Sequence, residues 1–317
     1  MKQLPTEKCN NTSWYTQVNK GLVIHKSPIM KIRETPSARK RTTKKIATVV
    51  EGSSIIREDR LIKFLRIVID FYSKYGRHEL AWRKSITPYK VLVSEVMLQQ
   101  TQVSRVLPKY ELWLKLYPTL NKLRNASLTQ VLTLWQGLGY QRRAKALLTT
   151  ANSVSSIPKN FNELRMLPGV GEYTASALMA FAYNTFDNPV IETNIRTALI
   201  EHFFNERSEV NDQELKDILI QLSNLDEVRK LGARHWYYAL MDYGAHLKTK
   251  AVSHNSKSRS YKRQTKYKGS QRELRAKVLF AITHKNNLPE DARLEVVLNE
   301  LLKEGFILKT KSSYRVV

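Results

Sequence analysis

"LPGVGEYTASALMAF", at residues 167–181, joins two apolar segments through a very short turn. Pro168 ends the first segment as a helix, because proline cannot continue the backbone hydrogen-bond ladder. Gly169 and Gly171 flank Val170 and permit backbone angles that are closed to other residues. The pattern predicts two helices connected by a tight hairpin.

The start of the second helix is a candidate phosphate-binding site. Its first backbone N–H groups have no partner within the helix, and the helix dipole adds positive potential there. A phosphate group would be held by Gly169, Val170, Gly171 and Tyr173. An ordinary helix–helix turn is the alternative, and the Gly-Val-Gly pattern alone does not decide between them.

The chain is strongly basic. Its 317 residues carry 53 Lys and Arg against 28 Asp and Glu, a formal net charge of +25. Such an excess favours a polyanionic partner, with nucleic acid as the first candidate and an acidic membrane surface as the second. We find no apolar run long enough to span a bilayer and no signal-peptide pattern at the start. We therefore predict a soluble, intracellular protein without membrane contact.

The chain divides into four regions by composition and periodicity. Residues 1–57 form a basic arm without sustained periodicity, which we predict to be disordered. Residues 58–247 carry repeated apolar stripes with helical spacing, residues 248–270 are interpreted as a solvated basic linker, and residues 271–317 complete the chain. Beyond the first stripe, which begins at Leu61, the stripes lie at 89–103, 127–135, 142–154, 161–166, 172–183, 193–204, 212–223 and 232–243.

The last region predicts a small module of mixed structure. Residues 271–284 and 290–303 are amphipathic in helical register, and "FILKTKSSYRVV" at 306–317 alternates around a Lys-Ser-Ser turn. Two helices closed by a hairpin indicate a winged-helix-like α+β module. The predicted fold class is all-α for the main domain, followed by this small module.

Three longer stretches make a family resemblance specific. They are "YGRHELAWRKSITPYKVLVSEVMLQQTQV" (75–103), "LWQGLGYQRRAKAL" (134–147) and "YYALMDYGA" (237–245). Together with "LPGVGEYTA" they resemble the adenine DNA glycosylases of the MutY type, within the helix-hairpin-helix base-excision superfamily. The resemblance covers roughly residues 60–247 and implies the all-α helix-hairpin-helix DNA glycosylase fold.

Cleavage of an N-glycosidic bond needs a proton for the departing base and negative charge beside an oxocarbenium-like sugar. Glu95 shares a helical stripe with Val91, Leu92 and Leu98, and burial there would keep its carboxyl protonated. The resemblance gives Glu95 the position that protonates adenine. The alternative is a Glu95 carboxylate at a solvent-exposed helix edge.

The second carboxylate is predicted at Glu192, in "VIETNIRT". It precedes a helix that we expect Thr193 to cap, where the helix dipole would keep Glu192 ionised beside the sugar. The family usually has aspartate at this position, so the side chain here is one methylene longer. Asp242, in "MDYGA", is a competing acid that we interpret as a structural helix residue.

Tyr173 bears on the type of reaction. In relatives that also cut the DNA strand, a lysine at this position attacks the sugar as an amine nucleophile, and tyrosine cannot form that Schiff base. The resemblance therefore implies a monofunctional glycosylase without efficient lyase activity, in which Tyr173 assists the acid pair by hydrogen bonding near the sugar. A tyrosine that only fills the core is the alternative.

An enzyme that acts on a base inside a duplex must turn that base out of the stack and fill the gap. Gln100 and Tyr140 match the intercalating residues of the family, and Arg83, in "AWRKS", matches a residue that lines the adenine pocket. The alternatives are a surface glutamine, a packing aromatic ring and a surface charge.

The sequence departs from the family pattern in two ways. The family usually carries four cysteines after the segment that matches "MDYGA", which hold an iron–sulfur cluster, whereas Cys9 is the only cysteine here. We therefore expect no iron–sulfur cluster, no disulfide and no metal or other cofactor, with the lysine-rich residues 248–268 supplying charge for the DNA backbone instead. A monovalent cation bound by hairpin carbonyls would leave no side-chain pattern, so the sequence does not decide whether one binds.

The second departure concerns the C-terminal part of the chain. The residues after the linker are too few for the larger domain with which the family recognises 8-oxoguanine.

The sequence thus predicts a monomeric DNA glycosylase that acts on double-stranded DNA with a mismatch. It would remove adenine mispaired with G or 8-oxoguanine, in the bacterial cytoplasm or nucleoid, or in a nucleus or organelle if the source is eukaryotic. One alternative is a glycosylase for another base, such as T opposite G. Another is a catalytically inactive DNA-binding protein on the same fold.

Overall fold

The computed structural model describes residues 56–252, 254–259, 265–311 and 313–317. The predicted basic arm therefore lies almost entirely outside the described residues. In chain order the helices are α1 (Glu58–Tyr75), α2 (Ala81–Lys84), α3 (Pro88–Leu98), α4 (Val103–Leu116), α5 (Leu120–Arg124), α6 (Leu128–Trp135), α7 (Arg142–Ser153), α8 (Phe161–Arg165), α9 (Glu172–Phe181), α10 (Thr193–Phe203), α11 (Asp212–Ser223), α12 (Asp226–Leu231), α13 (Ala233–Thr249), α14 (Gln271–His284) and α15 (Leu294–Lys303). Two short strands follow, β1 (Ile307–Lys309) and β2 (Tyr314–Val316).

The architecture is mostly helical with one small C-terminal sheet, which confirms the predicted fold class. Apolar side chains of the helices meet in one core, whose largest fully buried members include Trp113, Trp135, Trp236, Phe64 and Phe181. Among the described residues, no helix combines the length and the apolarity needed to cross a bilayer.

Helix α13 supports the elements that carry the candidate site, because it packs on both α1 and α10. The approach to α10 is so close that a Cβ atom at Gly244 would lie 2.0 Å from the carbonyl oxygen of Asn194. Only glycine fits at this position. The contact fixes the N-terminal end of α10, where the candidate carboxylate Glu192 lies.

The stripe predicted at 89–103 covers α3, the turn that follows it and only the first residue of α4. Helix α3 ends at Leu98 and α4 begins at Val103, and the turn between them holds Gln100 at φ +52°. The sequence shows no break here because glutamine is a good helix former and neither glycine nor proline marks the turn. The prediction also missed the rest of α4 and the short helices α2, α5 and α12.

The interpretation of residues 248–270 as a solvated linker needs correction. Helix α13 continues to Thr249, and residues 254–259 pack on the helical domain. The Val210 N–H donates to the carbonyl of Lys257 (2.9 Å), and Arg259 pairs with Glu209 (2.7 Å). The acids that face this basic segment come from a distant part of the sequence, so the segment alone gave no sign of them.

The C-terminal module contains the predicted helices and hairpin. Helix α14 has the predicted bounds, α15 begins four residues later than predicted, and β1 and β2 pair antiparallel with Ile307 opposite Val316. The module is attached to α7: Glu304 pairs with Arg142 (2.5 Å), and Lys145 Nζ donates to the carbonyl of Gly305 (2.7 Å).

Candidate active site

Glu95 lies on α3 with its side chain buried in the core, at 5 % relative exposure. Burial raises the pKa of its carboxyl from the ordinary value of 4.5 to about 7. A hydrogen bond from Tyr173 opposes this rise, and the nearby negative charge of Glu192 adds to it. Glu95 can therefore carry a proton near neutral pH, as a general acid requires.

Tyr173, in the first turn of α9, donates its hydroxyl hydrogen to Glu95 Oε2 at 2.9 Å. Burial, together with the neighbouring carboxylates of Glu95 and Glu192, raises the pKa of this phenol well above its usual range. The hydroxyl thus keeps its hydrogen and acts as a donor to Glu95.

Glu192 caps α10, and Thr193 does not, contrary to the prediction. Its Oε1 accepts hydrogen bonds from the backbone N–H groups of Asn194 (2.8 Å) and Ile195 (3.0 Å). Its Oε2 accepts from the Thr193 hydroxyl (3.0 Å) and from Asn194 Nδ2 (3.2 Å). The longer glutamate arm folds back onto its own helix, so four donors face the two oxygens of a carboxylate at the positive end of the helix dipole.

One cleft of about 570 Å³, the catalytic cleft, brings together most of the predicted site residues. Glu95 and Glu192 line it in unlike surroundings, the first desolvated and the second held by N–H and O–H donors. Its predicted members are Glu95, Tyr173, Glu192, Gln100 and Tyr140.

Gln100 and Tyr140 share an unusual backbone conformation. Their φ angles are +52° and +48°, in the left-handed region. A non-glycine residue that adopts this conformation loses roughly 1–3 kcal/mol of stability. Gly139, at φ +70°, introduces the Tyr140 turn. Two such residues at the rim of one cleft indicate that the surrounding structure holds them in place.

Arg143 is the residue that holds both turns, and the sequence analysis missed it. Its Nη1 donates to the carbonyls of Val96 (2.9 Å), Met97 (3.0 Å) and Gln99 (2.6 Å). Its Nη2 donates to the carbonyls of Leu138 (2.8 Å) and Gly139 (2.9 Å) and to the Thr101 hydroxyl (3.1 Å). The available signal was an arginine in helical register with apolar residues of α7, which predicts a buried cation that needs several acceptors.

Arg83 is not among the residues that line the catalytic cleft. Its two terminal nitrogens donate to Asp242 at 2.7 and 3.0 Å, and its guanidinium lies 4.1 Å from the ring centroid of Tyr238. Burial opposes ionisation of Asp242, yet Arg83 and Arg77 outweigh it and hold the pKa of that carboxyl below its usual range. Asp242 is thus a buried partner of two arginines, and Arg83 as a base-pocket residue stays a prediction.

The hairpin between α8 and α9 adjoins the catalytic cleft. Gly169 adopts φ +75°, and Gly171 caps α9 without a side-chain hydrogen bond. Gln99 links the hairpin to α3, because its Nε2 lies 3.1 Å from the Thr174 hydroxyl. The Val170 N–H donates within the turn to the Leu167 carbonyl (3.1 Å), so the phosphate-binding prediction rests on the other N–H groups of the turn.

Residues 93–227 match the HhH-GPD superfamily of base excision DNA repair proteins. The adenine DNA glycosylase of Mycolicibacterium smegmatis is 31% identical over 268 residues, which cover 74% of this chain and 90% of the relative. The chain belongs to the adenine DNA glycosylase family. The family member of Buchnera aphidicola subsp. Baizongia pistaciae is 35% identical over 145 residues, 44% of this chain and 41% of the relative, so this match spans less than half of that protein. A thermostable thymine-DNA glycosylase has the same fold, with a TM-score of 0.50 at 20% identity, over 59% of this chain and 87% of that one.

This family member does not offer the ligands of an iron–sulfur cluster. Such clusters need several thiolates, and the whole sequence contains one cysteine, Cys9, which lies outside the described residues. Lys248 lies at the end of α13, where its Nζ donates to Asn194 Oδ1 at 2.8 Å. Within the described part of the chain, no group of three or more His, Cys, Asp or Glu side chains is arranged to hold a metal ion.

Proposed function

We propose that this protein is a monofunctional DNA glycosylase that hydrolyses the N-glycosidic bond of adenine mispaired with G or 8-oxoguanine, as part of base excision repair. The observation that carries the proposal is the pair of unlike carboxyls in the catalytic cleft. Glu95 is buried with a pKa near neutrality, and Glu192 is ringed by hydrogen-bond donors. A departing base needs the first, and an oxocarbenium-like sugar needs the second.

The reaction would proceed with these two side chains as follows. Protonated Glu95 gives its proton to a ring nitrogen of adenine, the bond between that base and C1′ breaks, and its electron pair leaves with the base. The positive charge that develops on the sugar is stabilised by the Glu192 carboxylate. Water then adds to C1′ and gives a proton to the Glu95 carboxylate, which restores the acid. Tyr173 keeps the Glu95 carboxyl in one orientation through its 2.9 Å hydrogen bond.

The lining of the catalytic cleft supports hydrolysis rather than strand cleavage. Among the described residues of this lining there is no lysine, so the cleft offers no side-chain amine for a Schiff base with C1′. The expected product is an intact strand with an abasic site, which breaks only after treatment with alkali.

The residues at the rim of the catalytic cleft would open the duplex so that the base can enter the cleft. Gln100 and Tyr140 would enter the gap that the extruded adenine leaves, and Arg143 would keep their turns from collapsing. The hairpin at Gly169–Tyr173 would bind a phosphate, and the lysines of residues 248–268 would add salt-dependent affinity for the backbone. This chemistry needs no metal or organic cofactor, and a cation on the hairpin carbonyls would serve only to fix the turn.

The test is single-turnover cleavage of end-labelled duplexes with A opposite 8-oxoguanine, A opposite G, A opposite C and T opposite G, each with and without alkali. The proposal predicts alkali-dependent cleavage at adenine that is lost in Glu95→Gln and strongly reduced in Glu192→Ala. Release of thymine instead would replace adenine as the substrate. Tight binding of every duplex without an abasic product would leave a DNA-binding protein on a glycosylase fold.

A further inference from the structure

A second and larger cleft, of about 1050 Å³, lies between the helical domain and the C-terminal module. We call it the module cleft. Its walls come from α4 and the turn at residues 136–141 on one side, and from residues 265–289 on the other. Among the described residues, only Gln100 and Tyr140 line both the module cleft and the catalytic cleft. These two side chains therefore form the boundary between the clefts.

The module cleft is lined by groups suited to a nucleotide. Arg105 and Lys109 of α4 face Arg272 and Lys277 of α14, and no aspartate or glutamate occurs among its described lining residues. The lining also includes the half-exposed rings Tyr267 and Phe280 and the amide side chains Asn286 and Asn287. Cations suit phosphates, aromatic faces stack on bases, and amides hydrogen-bond to base edges.

Arg272 connects the module directly to the boundary. Its Nη1 lies 2.5 Å from the Tyr140 hydroxyl, its guanidinium lies 5.3 Å from the Tyr140 ring centroid, and its Nη2 donates to the carbonyl of Thr265 (2.7 Å). Further down the module, Arg275 and Arg142 both pair with Glu304. The module wall is thus held in a fixed position relative to Tyr140.

The relative positions of the two clefts indicate which part of the DNA the module cleft would bind. If adenine turns into the catalytic cleft and the boundary residues enter the duplex, the base that faced adenine stays on the far side of that boundary. The far side is the module cleft. We propose that the C-terminal module binds the unpaired nucleotide opposite the excised adenine, with Arg272 and Phe280 of α14 as its contacts. This inference rests on the proposed function, and it gives the module a role in reading the opposite strand.

The test measures whether affinity depends on the opposite base. Fluorescence anisotropy would give the Kd of the full chain for a duplex with a tetrahydrofuran abasic analogue opposite guanine, and for a duplex with the same analogue opposite a second one. Since base stacking is involved, we expect wild type to bind the guanine duplex at least about fivefold more tightly. Phe280→Ala and Arg272→Ala should bring this ratio close to one. Phe280→Ala leaves the Arg272 contact with Tyr140 in place, so it separates loss of the nucleotide contact from disturbance of the boundary.

Arg315→Ala is the matched control, because Arg315 is exposed on β2 of the same module, lies outside the cleft lining and carries the same charge. This substitution should lower the affinity for both duplexes by the same factor and leave the ratio of the two Kd values unchanged. A wild-type ratio of one, or a ratio that survives in both α14 variants, overturns the inference. Adenine excision by the same preparation distinguishes the two claims: excision with a ratio of one refutes only the module assignment, whereas no excision from any duplex refutes the proposed function.

Discussion

Glu95→Gln should make the protein more stable, and increasingly so as pH rises. In the folded chain, burial raises the pKa of the Glu95 carboxyl from 4.5 to about 7. Below pH 4.5 the carboxyl is protonated in both the folded and the unfolded state, so no charge has to be buried on folding. Above the higher value, the folded protein must keep a charge in the core, whereas the unfolded chain exposes it to water. Stability is therefore lost as pH rises through the folded pKa.

The size of this effect follows from the shift. At about 1.4 kcal/mol per pKa unit, it corresponds to roughly 3 kcal/mol of unfolding free energy. Glutamine has no charge to bury and still accepts the Tyr173 hydrogen bond through its amide oxygen. The difference in unfolding free energy between Glu95→Gln and wild type should thus grow by about 3 kcal/mol between about pH 4.5 and about pH 8.

Urea unfolding, followed by the fluorescence of the buried tryptophans, would measure this difference at several pH values. Glu163→Gln is the control, since Glu163 is exposed on α8 and its substitution should give a nearly constant difference. A difference for Glu95→Gln that stays flat with pH would refute the argument that burial keeps this carboxyl protonated.

Three further substitutions test residues that support Glu95, Glu192 and the turns at the rim of the catalytic cleft. Tyr173→Phe removes a hydrogen bond that lowers the pKa of Glu95, so the alkaline midpoint of single-turnover adenine release should move up by about one pH unit. Arg143→Lys cannot fill the acceptors that the guanidinium serves in the two strained turns, and thermal unfolding should show a loss of about 2–4 kcal/mol. Lys248→Met removes the donor to Asn194 Oδ1, and Asn194 in turn donates to Glu192 Oε2, so loss of this support should lower the single-turnover rate about tenfold at saturating enzyme.

Each of these has a control of the same residue type. Tyr183→Phe removes a hydroxyl that donates to the carbonyls of Ile157 and Pro158, away from the catalytic cleft, and should leave the pH midpoint in place. Arg165→Lys and Lys250→Met change exposed side chains and should leave stability and rate near wild type. A variant that behaves like its control contradicts the role given to that residue.

The sequence predicts most of the helices because their apolar stripes and caps are local features. Ser127 and Gln130 form a capping box at the start of α6, and α14 has the predicted bounds. The break between α3 and α4 could not be predicted in this way, since it depends on Arg143, which lies more than forty residues further along the chain. Long-range hydrogen bonds, rather than local propensity, place Gln100 in its left-handed conformation.

The candidate site shows the same division. Burial of Glu95 follows from its apolar neighbours on α3, and the structure places Tyr173 within hydrogen-bond distance of it. The capping role of Glu192 was missed because threonine is a preferred N-cap residue and glutamate is not, so Thr193 was the expected cap. The partners of residues 254–259 could not be predicted from this segment alone, because the acids that pair with it, Glu201 and Glu209, lie about fifty residues earlier in the chain.

Proton transfer from Glu95 to the departing adenine is tested most directly by the pH dependence of single-turnover adenine release. Wild type and Glu95→Gln would be compared on a duplex that both bind equally well. The wild-type rate should fall above about pH 7, as the Glu95 carboxyl ionises, and Glu95→Gln should release no adenine at any pH. Release by Glu95→Gln at the wild-type rate, or a wild-type rate that rises through this range, would contradict proton transfer from Glu95.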